Sequence, residues 1–256
     1  MPFLIDLWRS LWYNESKEKT FMLIYNERFK LRESDFDEFD NLKPSAFLDF
    51  FQSVASTHAT LKGMGFDDMI KKNIAWVLTK VKLDAYKRVK AKDTIIVETI
   101  PRPKGLIDYT RDYYIYDEEN ELIAKGSSQW VHIDFTTRKL LRPTIDFTEE
   151  FSPRDAYETR KIERVPAVDT YEIGKYVTTR NDIDHNGHVN NLRYADMVLA
   201  FEKKNPDPVR SFIINFSVEC HENETLTIYS DGDTLYAGKK EDGTVSFTAK
   251  LIRENY

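Results

Sequence analysis

Residues Asp35, Phe36, Asp37, Phe47 and Asp49 return 147 positions later, identical or similar in type, as Asp182, Ile183, Asp184, Tyr194 and Asp196. Matches held at one fixed offset point to duplication of a structural unit. The order of predicted elements repeats with them. From 44 to 62 the apolar residues Phe47, Phe51, Val54, Ala55 and Leu61 recur at helical spacing, with Pro44 in a first-turn position and Gly63 beyond the end. Segments that alternate with period two follow at 75–85, 94–100, 108–117 and 122–134. A second helix is predicted from about Val189, carrying Tyr194, Val198 and Phe201, with strands after it at 211–220, 225–229, 234–239 and 244–252. Consecutive strands on short connections make antiparallel sheets, so the fold class is α+β.

A chain of 256 residues has room for two such units, each with its own core. The stretch 142–169 loses periodicity and holds Pro143, Pro153 and Pro166, which reads as a linker. The predicted organisation is an extension (1–20), a first domain (21–141), the linker (142–169) and a second domain (170–256). The extension lacks the basic region and cleavage site of a secretory signal. It reads as an amphipathic docking helix with Leu4, Leu7, Trp8, Leu11 and Trp12 on one face.

Composition narrows the function. A net charge of −6 argues against a nucleic-acid binder, and no apolar run approaches the roughly 18 residues of a membrane span. With Cys220 as the single cysteine there is no disulfide framework and no cysteine-based zinc cluster, so a cytoplasmic location is the default.

The repeat fails where polar residues gather. In the segment from Thr179 to Asn191, His188 falls opposite Asn41 and Asn186 opposite Phe39, so the second copy concentrates side chains that the first lacks. A capping loop would explain one or two of them but not the set. A metal site from Asp184, His185 and His188 is disfavoured, because histidines three apart across Gly187 do not share a helical face. Thioester hydrolysis, by contrast, needs a base, a polariser for the carbonyl oxygen and a helix end with free amides. His188 suits the first role, Asn186 the second, and Asp184 can orient either.

The pattern Asp184-x-Asn186-x-His188-Val189-Asn190-Asn191-x-x-Tyr194 resembles the active-site segment of acyl-acyl-carrier-protein (acyl-ACP) thioesterases, the plant plastid enzymes and their bacterial relatives. A shorter form of it occurs more widely among hot-dog acyl-CoA thioesterases. The Asn186 position and the Glu219-Cys220 pair narrow the resemblance to the carrier-protein group. It implies two tandem hot-dog domains, each an antiparallel sheet wrapped around a long helix. It also implies hydrolysis of a fatty acyl-ACP without a cofactor, and a catalytic set of Asp184, Asn186, His188, Glu219 and Cys220.

Two mechanisms then compete: Cys220 as a nucleophile activated by His188, or Glu219 and His188 activating water. In a regular strand over 211–220, Cys220 continues the apolar series of Phe212, Ile214, Phe216 and Val218, while Glu219 lies on the other face. That alternation favours water. An apolar channel for the acyl chain finds candidates in Phe47, Phe51, Val54, Trp76, Leu78 and Tyr113. Lys87, Arg88 and Lys90 are the candidate docking patch for an acidic carrier protein. Acyl-CoA hydrolysis, a non-catalytic acyl-binding role and a hot-dog dehydratase are the rivals. The protein is expected to act as a monomer or homodimer.

Overall fold

The computed structural model describes residues 24–145, 156–157 and 162–254. The predicted amino-terminal helix and much of the linker lie outside them. The first half contains β1 (Tyr25–Lys30), α1 (Pro44–Leu61), α2 (Phe66–Ile70), β2 (Ile74–Ala85), β3 (Thr94–Pro101), β4 (Tyr109–Tyr116), β5 (Leu122–Asp134) and the short β6 (Leu140–Leu141). The second contains β7 (Tyr171–Val177), α3 (Asn191–Phe201), β8 (Val209–Phe216), β9 (Thr225–Ser230), β10 (Leu235–Lys240) and β11 (Val245–Arg253). Among the described residues no helix is long and apolar enough to cross a membrane.

All strands join one antiparallel sheet in the order β1-β3-β4-β5-β2-β8-β11-β10-β9-β7, with β6 beside β5. The two halves of this order mirror each other about β2 and β8, which pair from Lys80↔Asn215 to Asp84↔Ser211. The 147-residue offset holds in the backbone as well. The 3₁₀ turn Glu33–Asp35 matches Arg180–Asp182, the bridge Phe36↔Leu42 matches Ile183↔Val189, and α1 and α3 begin at Pro44 and Asn191.

Helix α1 forms because Pro44 pre-sets the first turn at no hydrogen-bond cost and apolar residues then cover most of its circumference. Phe47, Phe50, Phe51 and Val54 are each less than 5% exposed, and full burial of such side chains stabilises by about 1.5–3 kcal/mol apiece. They belong to one core shared with Tyr194, Met197 and Val198 of α3 and with Phe212 and Phe247 of the second half-sheet. On the other side of the sheet Ile162 and Val165 of the linker pack on Ile213, and Lys80 Nζ donates to the Ile162 carbonyl at 2.7 Å.

The predicted strand 211–220 is shorter in the structure and stops at Phe216. The amides of Ser217 and Val218 both turn to the Ser246 carbonyl, which ends the ladder, and the Cys220 carbonyl accepts from Val189 N–H at 2.8 Å. Edge strands β1 and β7 and helix α2 carry no sequence expectation.

Candidate active site

The loop from Asp184 to His188 is built from its ends inward. The nearly buried Asp182 accepts from Thr179 N–H at 2.7 Å, from the Thr179 hydroxyl at 2.9 Å and from the Tyr176 hydroxyl at 2.9 Å. Burial first, and this carboxylate second, push the Tyr176 phenol up to about 12. Asp184 Oδ1 then accepts the Asn186 backbone N–H at 2.8 Å, and its own N–H donates to the His188 carbonyl at 2.9 Å. Gly187, at φ +81°, closes the turn in the left-handed region that favours glycine. Asn190 caps α3 by accepting from Leu192 N–H.

The first copy makes the same turn. Asp37 Oδ1 accepts from the N–H groups of Phe39 and Asn41 at 2.9 Å each, and Asp37 N–H donates to the Asn41 carbonyl at 2.8 Å. Because Asp37 does this with no histidine in its loop, the matching bonds of Asp184 serve the turn's shape. Asp184 also accepts from the Asn186 side-chain amide at 3.4 Å, which fixes where that amide sits.

His188 Nε2 lies 3.3 Å from Glu219 Oε1, and the other oxygen of Glu219 accepts from Arg138 at 2.6 Å. Both groups of the His188–Glu219 pair remain partly open, at 26% and 41% side-chain exposure, so a substrate can reach them. His221 stands beside His188 with ring centroids 5.0 Å apart, and its Nδ1 meets the Gly187 carbonyl at 3.2 Å. One donor atom each from His188, Glu219 and His221 fall within 4.8 Å of one another. That trio can accept a divalent cation, with Arg138 competing for the carboxylate.

Cys220 faces the opposite way although it adjoins Glu219. It is fully buried, with Sγ 3.1 Å from Ser246 Oγ and its N–H donating to the Tyr194 hydroxyl at 3.2 Å. Burial pushes its thiol up from the ordinary value, against thiolate formation.

A small hollow of about 10 Å³ lies in the first half and reaches the start of α3. It is lined by Leu48, Phe51, Gln52, Leu78, Val81 and Tyr113, with Ser128 and Trp130 of β5 and Asn191 and Leu192 of α3. Asn191 follows the candidate loop by three residues. Among the residues expected to meet an acyl chain, Phe51, Leu78 and Tyr113 line this hollow. Val54 is packed fully into the core, Trp76 packs edge-on against Tyr109 and His132, and Phe47 faces a separate hollow beside Asn41. Strict alternation would put Leu78 and Val81 on opposite faces. A bulge between Leu78 and Lys80 brings them to one wall.

Residues 22–151 match the acyl-ACP thioesterase N-terminal domain, and residues 166–254 match the acyl-ACP thioesterase C-terminal domain. The chain belongs to the acyl-ACP thioesterase family. It is 24% identical over 226 residues to oleoyl-acyl carrier protein thioesterase 1 of Arabidopsis thaliana, covering 80% of this chain and 62% of that protein. It is 25% identical over 192 residues to a palmitoyl-acyl carrier protein thioesterase of Cuphea hookeriana, covering 69% and 46%. It therefore spans less than two thirds of the length of these relatives. In structure it is similar to an acyl-ACP thioesterase from Bacteroides thetaiotaomicron, with TM-score 0.82 and 20% identity over 90% of this chain and 98% of that one. A 12:0-ACP thioesterase from Umbellularia californica gives TM-score 0.79 and 21% identity over 91% and 98%. The fold is the double hot-dog.

In this member of the acyl-ACP thioesterase family, the basic segment after β2 lies away from His188. Arg88 donates to Asn41 Oδ1 at 3.1 Å, Lys87 pairs with Asp117, and Lys90 is exposed. The β2–β8 register carries that end of β2 toward the start of β8, whereas Glu219 follows the end of β8. The residues that do meet the candidate site from the first half are Arg138, through Glu219, and Phe66, whose ring meets the edge of His185 at 5.1 Å. Neither spacing nor pattern singles them out in the sequence. His221 directly follows the Glu219-Cys220 pair, and that adjacency was the available signal for it.

Proposed function

We propose that the protein hydrolyses a fatty acyl thioester of acyl carrier protein to the free fatty acid and the carrier. The observation that carries this reading is the 3.3 Å approach of His188 Nε2 to Glu219 Oε1 at an accessible surface. The pair accepts a proton from water as its oxygen adds to the carbonyl carbon. The side-chain amide of Asn186 is positioned by Asp184 to donate to the oxyanion as it forms. Collapse of the intermediate breaks the C–S bond, and the proton returns from the pair to the departing pantetheine sulfur. Cys220 takes no part as nucleophile, since its thiol is buried and turned to Ser246. The first domain holds the acyl chain and the second carries the chemistry. A buried, unpaired cysteine suits a reducing compartment such as the cytoplasm.

The surface around Arg138 suits the carrier better than Lys87, Arg88 and Lys90 do. Asn73 ties Lys71 and Lys72 to the 134–139 turn through bonds to Asp134 at 2.9 Å and Thr136 at 2.8 Å. That turn carries Arg138 and Lys139 between the exposed Phe135 and Leu140. Four basic groups interleaved with exposed apolar side chains, beside the catalytic pair, complement an acidic protein whose pantetheine arm must reach His188.

Thiol release from matched acyl-ACP and acyl-CoA esters tests the reaction. His188→Ala and Glu219→Ala are each expected to lose about a hundredfold or more in kcat, within the span usual for a positioned acid or base, while Cys220→Ala keeps most activity. Release from no ester would remove the enzyme reading, and a preference for the coenzyme A ester would favour the acyl-CoA alternative.

A further inference from the structure

Three side chains with metal-binding atoms converge on one backbone hydrogen bond. The Val189 N–H donates to the Cys220 carbonyl at 2.8 Å, and His188, Glu219 and His221 each adjoin one end of that bond in the sequence. Cys220 is fully buried and its own N–H donates to the Tyr194 hydroxyl at 3.2 Å, so the backbone beneath the three is fixed. Glu219 and His221, on either side of Cys220, are both exposed, and His188 is half-buried. One donor atom from each of the three lies within 4.8 Å of the others.

The spacing suits a tetrahedral cation. Nitrogen and oxygen atoms bound to zinc at about 2.0–2.2 Å stand roughly 3.3–3.6 Å apart across a tetrahedron. His188 Nε2 and Glu219 Oε1 are 3.3 Å apart. Arg138 holds the other oxygen of Glu219 at 2.6 Å, which leaves Oε1 for the cation. His221 Nδ1 meets the Gly187 carbonyl at 3.2 Å. A carbonyl only accepts, so Nδ1 carries the hydrogen and Nε2 keeps the lone pair. Metal-bound imidazoles are commonly supported in this way, by a bond from the other ring N–H to a carbonyl. Two imidazoles and a carboxylate favour zinc over magnesium or calcium, which take oxygen ligands.

We propose that His188, Glu219 and His221 form a zinc site whose occupation shuts off hydrolysis. Binding of the ion stands on the geometry alone; the inhibition rests on the thioesterase reading and follows from an overlap of atoms. His188 Nε2 and Glu219 Oε1 are the pair that takes the proton of the attacking water, and a cation held by both leaves neither for that step. His221 has no place in the proton transfer, so it separates the two roles of the cluster. The exposed position of the ligands lets a chelator remove the ion, and the positive charge of Arg138 beside Glu219 weakens its hold.

The test uses the full chain without a histidine tag, stripped of metal with EDTA and exchanged into chelator-free buffer. Calorimetric titration with zinc chloride is expected to show one strong site per chain that magnesium chloride does not fill. His221→Ala and His221→Gln, checked for folding by their melting temperatures, should each weaken zinc binding by about tenfold or more, at least the loss seen when the support of a metal ligand is removed. Hydrolysis of the carrier-protein ester is followed as free fatty acid, because the released thiol itself binds zinc. Saturating zinc should cut the wild-type rate by about tenfold or more, since it withdraws the base, and EDTA should restore it. Both variants should need correspondingly more zinc for half-inhibition, each measured against its own zinc-free rate. Equal zinc affinity in the wild type and both variants would overturn the site. Zinc bound there with the rate unchanged or raised would overturn the inhibition. Hydrolysis of no ester, with zinc binding weakened in the variants as expected, would remove the thioesterase reading and leave the zinc site standing.

Discussion

Burial sets the charge of His132. The residue is 1% exposed, surrounded by Trp76 and Tyr109, and burial lowers its pKa from 6.5 to about 4. Between those values the unfolded chain binds the proton and the folded chain does not. Stability is therefore full above pH 6.5 and drains away as pH falls toward 4. Linkage gives a loss of about 2 kcal/mol from this one group between pH 7 and pH 5. Urea unfolding of the wild type and His132→Gln at the two pH values measures it; equal pH dependence in both would contradict the assignment. His132 drew no attention in the sequence, since nothing in β5 distinguishes it from a surface histidine. Glu219 and Cys220 were separated correctly there on an argument that does not hold. They face apart because Cys220 is drawn beneath the loop by the Val189 amide, not because a strand continues through them.

The paired loops show which part of an active site belongs to an element and which to its side chains. Asp37 and Asp184 each accept the backbone amide two residues on, and Asp37 accepts that of Asn41 as well, so Asp37→Ala and Asp184→Ala should both lower stability, by about 1 kcal/mol in the range of lost side-chain caps. Only Asp184→Ala should also lower kcat, because it alone holds Asn186. Parallel denaturation and turnover measurements separate the two effects. Five residue matches were enough to find this repeat, because an Asp at each turn and an aromatic residue in each helix are demanded by both copies. The edge strands escaped notice for the reverse reason. In β1 every residue is exposed or partly so and three of six are charged, a pattern a loop also shows. The bulge at Thr79, which sets the wall of the hollow, leaves no mark in period-two alternation.

Across the whole molecule, the candidate site is assembled from both halves: the first supplies Arg138 and Phe66, the second His188, Glu219 and Asn186. This makes docking a question of which end of the sheet the carrier meets. Reversing charge at Lys71, Lys72 and Lys139 should raise KM for the carrier ester at least fivefold at low salt and leave the coenzyme A ester less affected, since steering by exposed charges is screened by ions. The same reversal at Lys87, Arg88 and Lys90 should change little; the opposite ranking in a steady-state assay would return docking to that end.

The β2–β8 pairing also decides how the protein behaves on dilution. Two separate domains meeting along such an edge would part as their concentration fell, whereas here the partner edge is tethered and its local concentration is fixed by the chain, on the order of millimolar for a short flexible tether. Turnover per molecule should therefore stay constant through serial dilution into the low nanomolar range, where an edge-paired couple of free domains would fall silent.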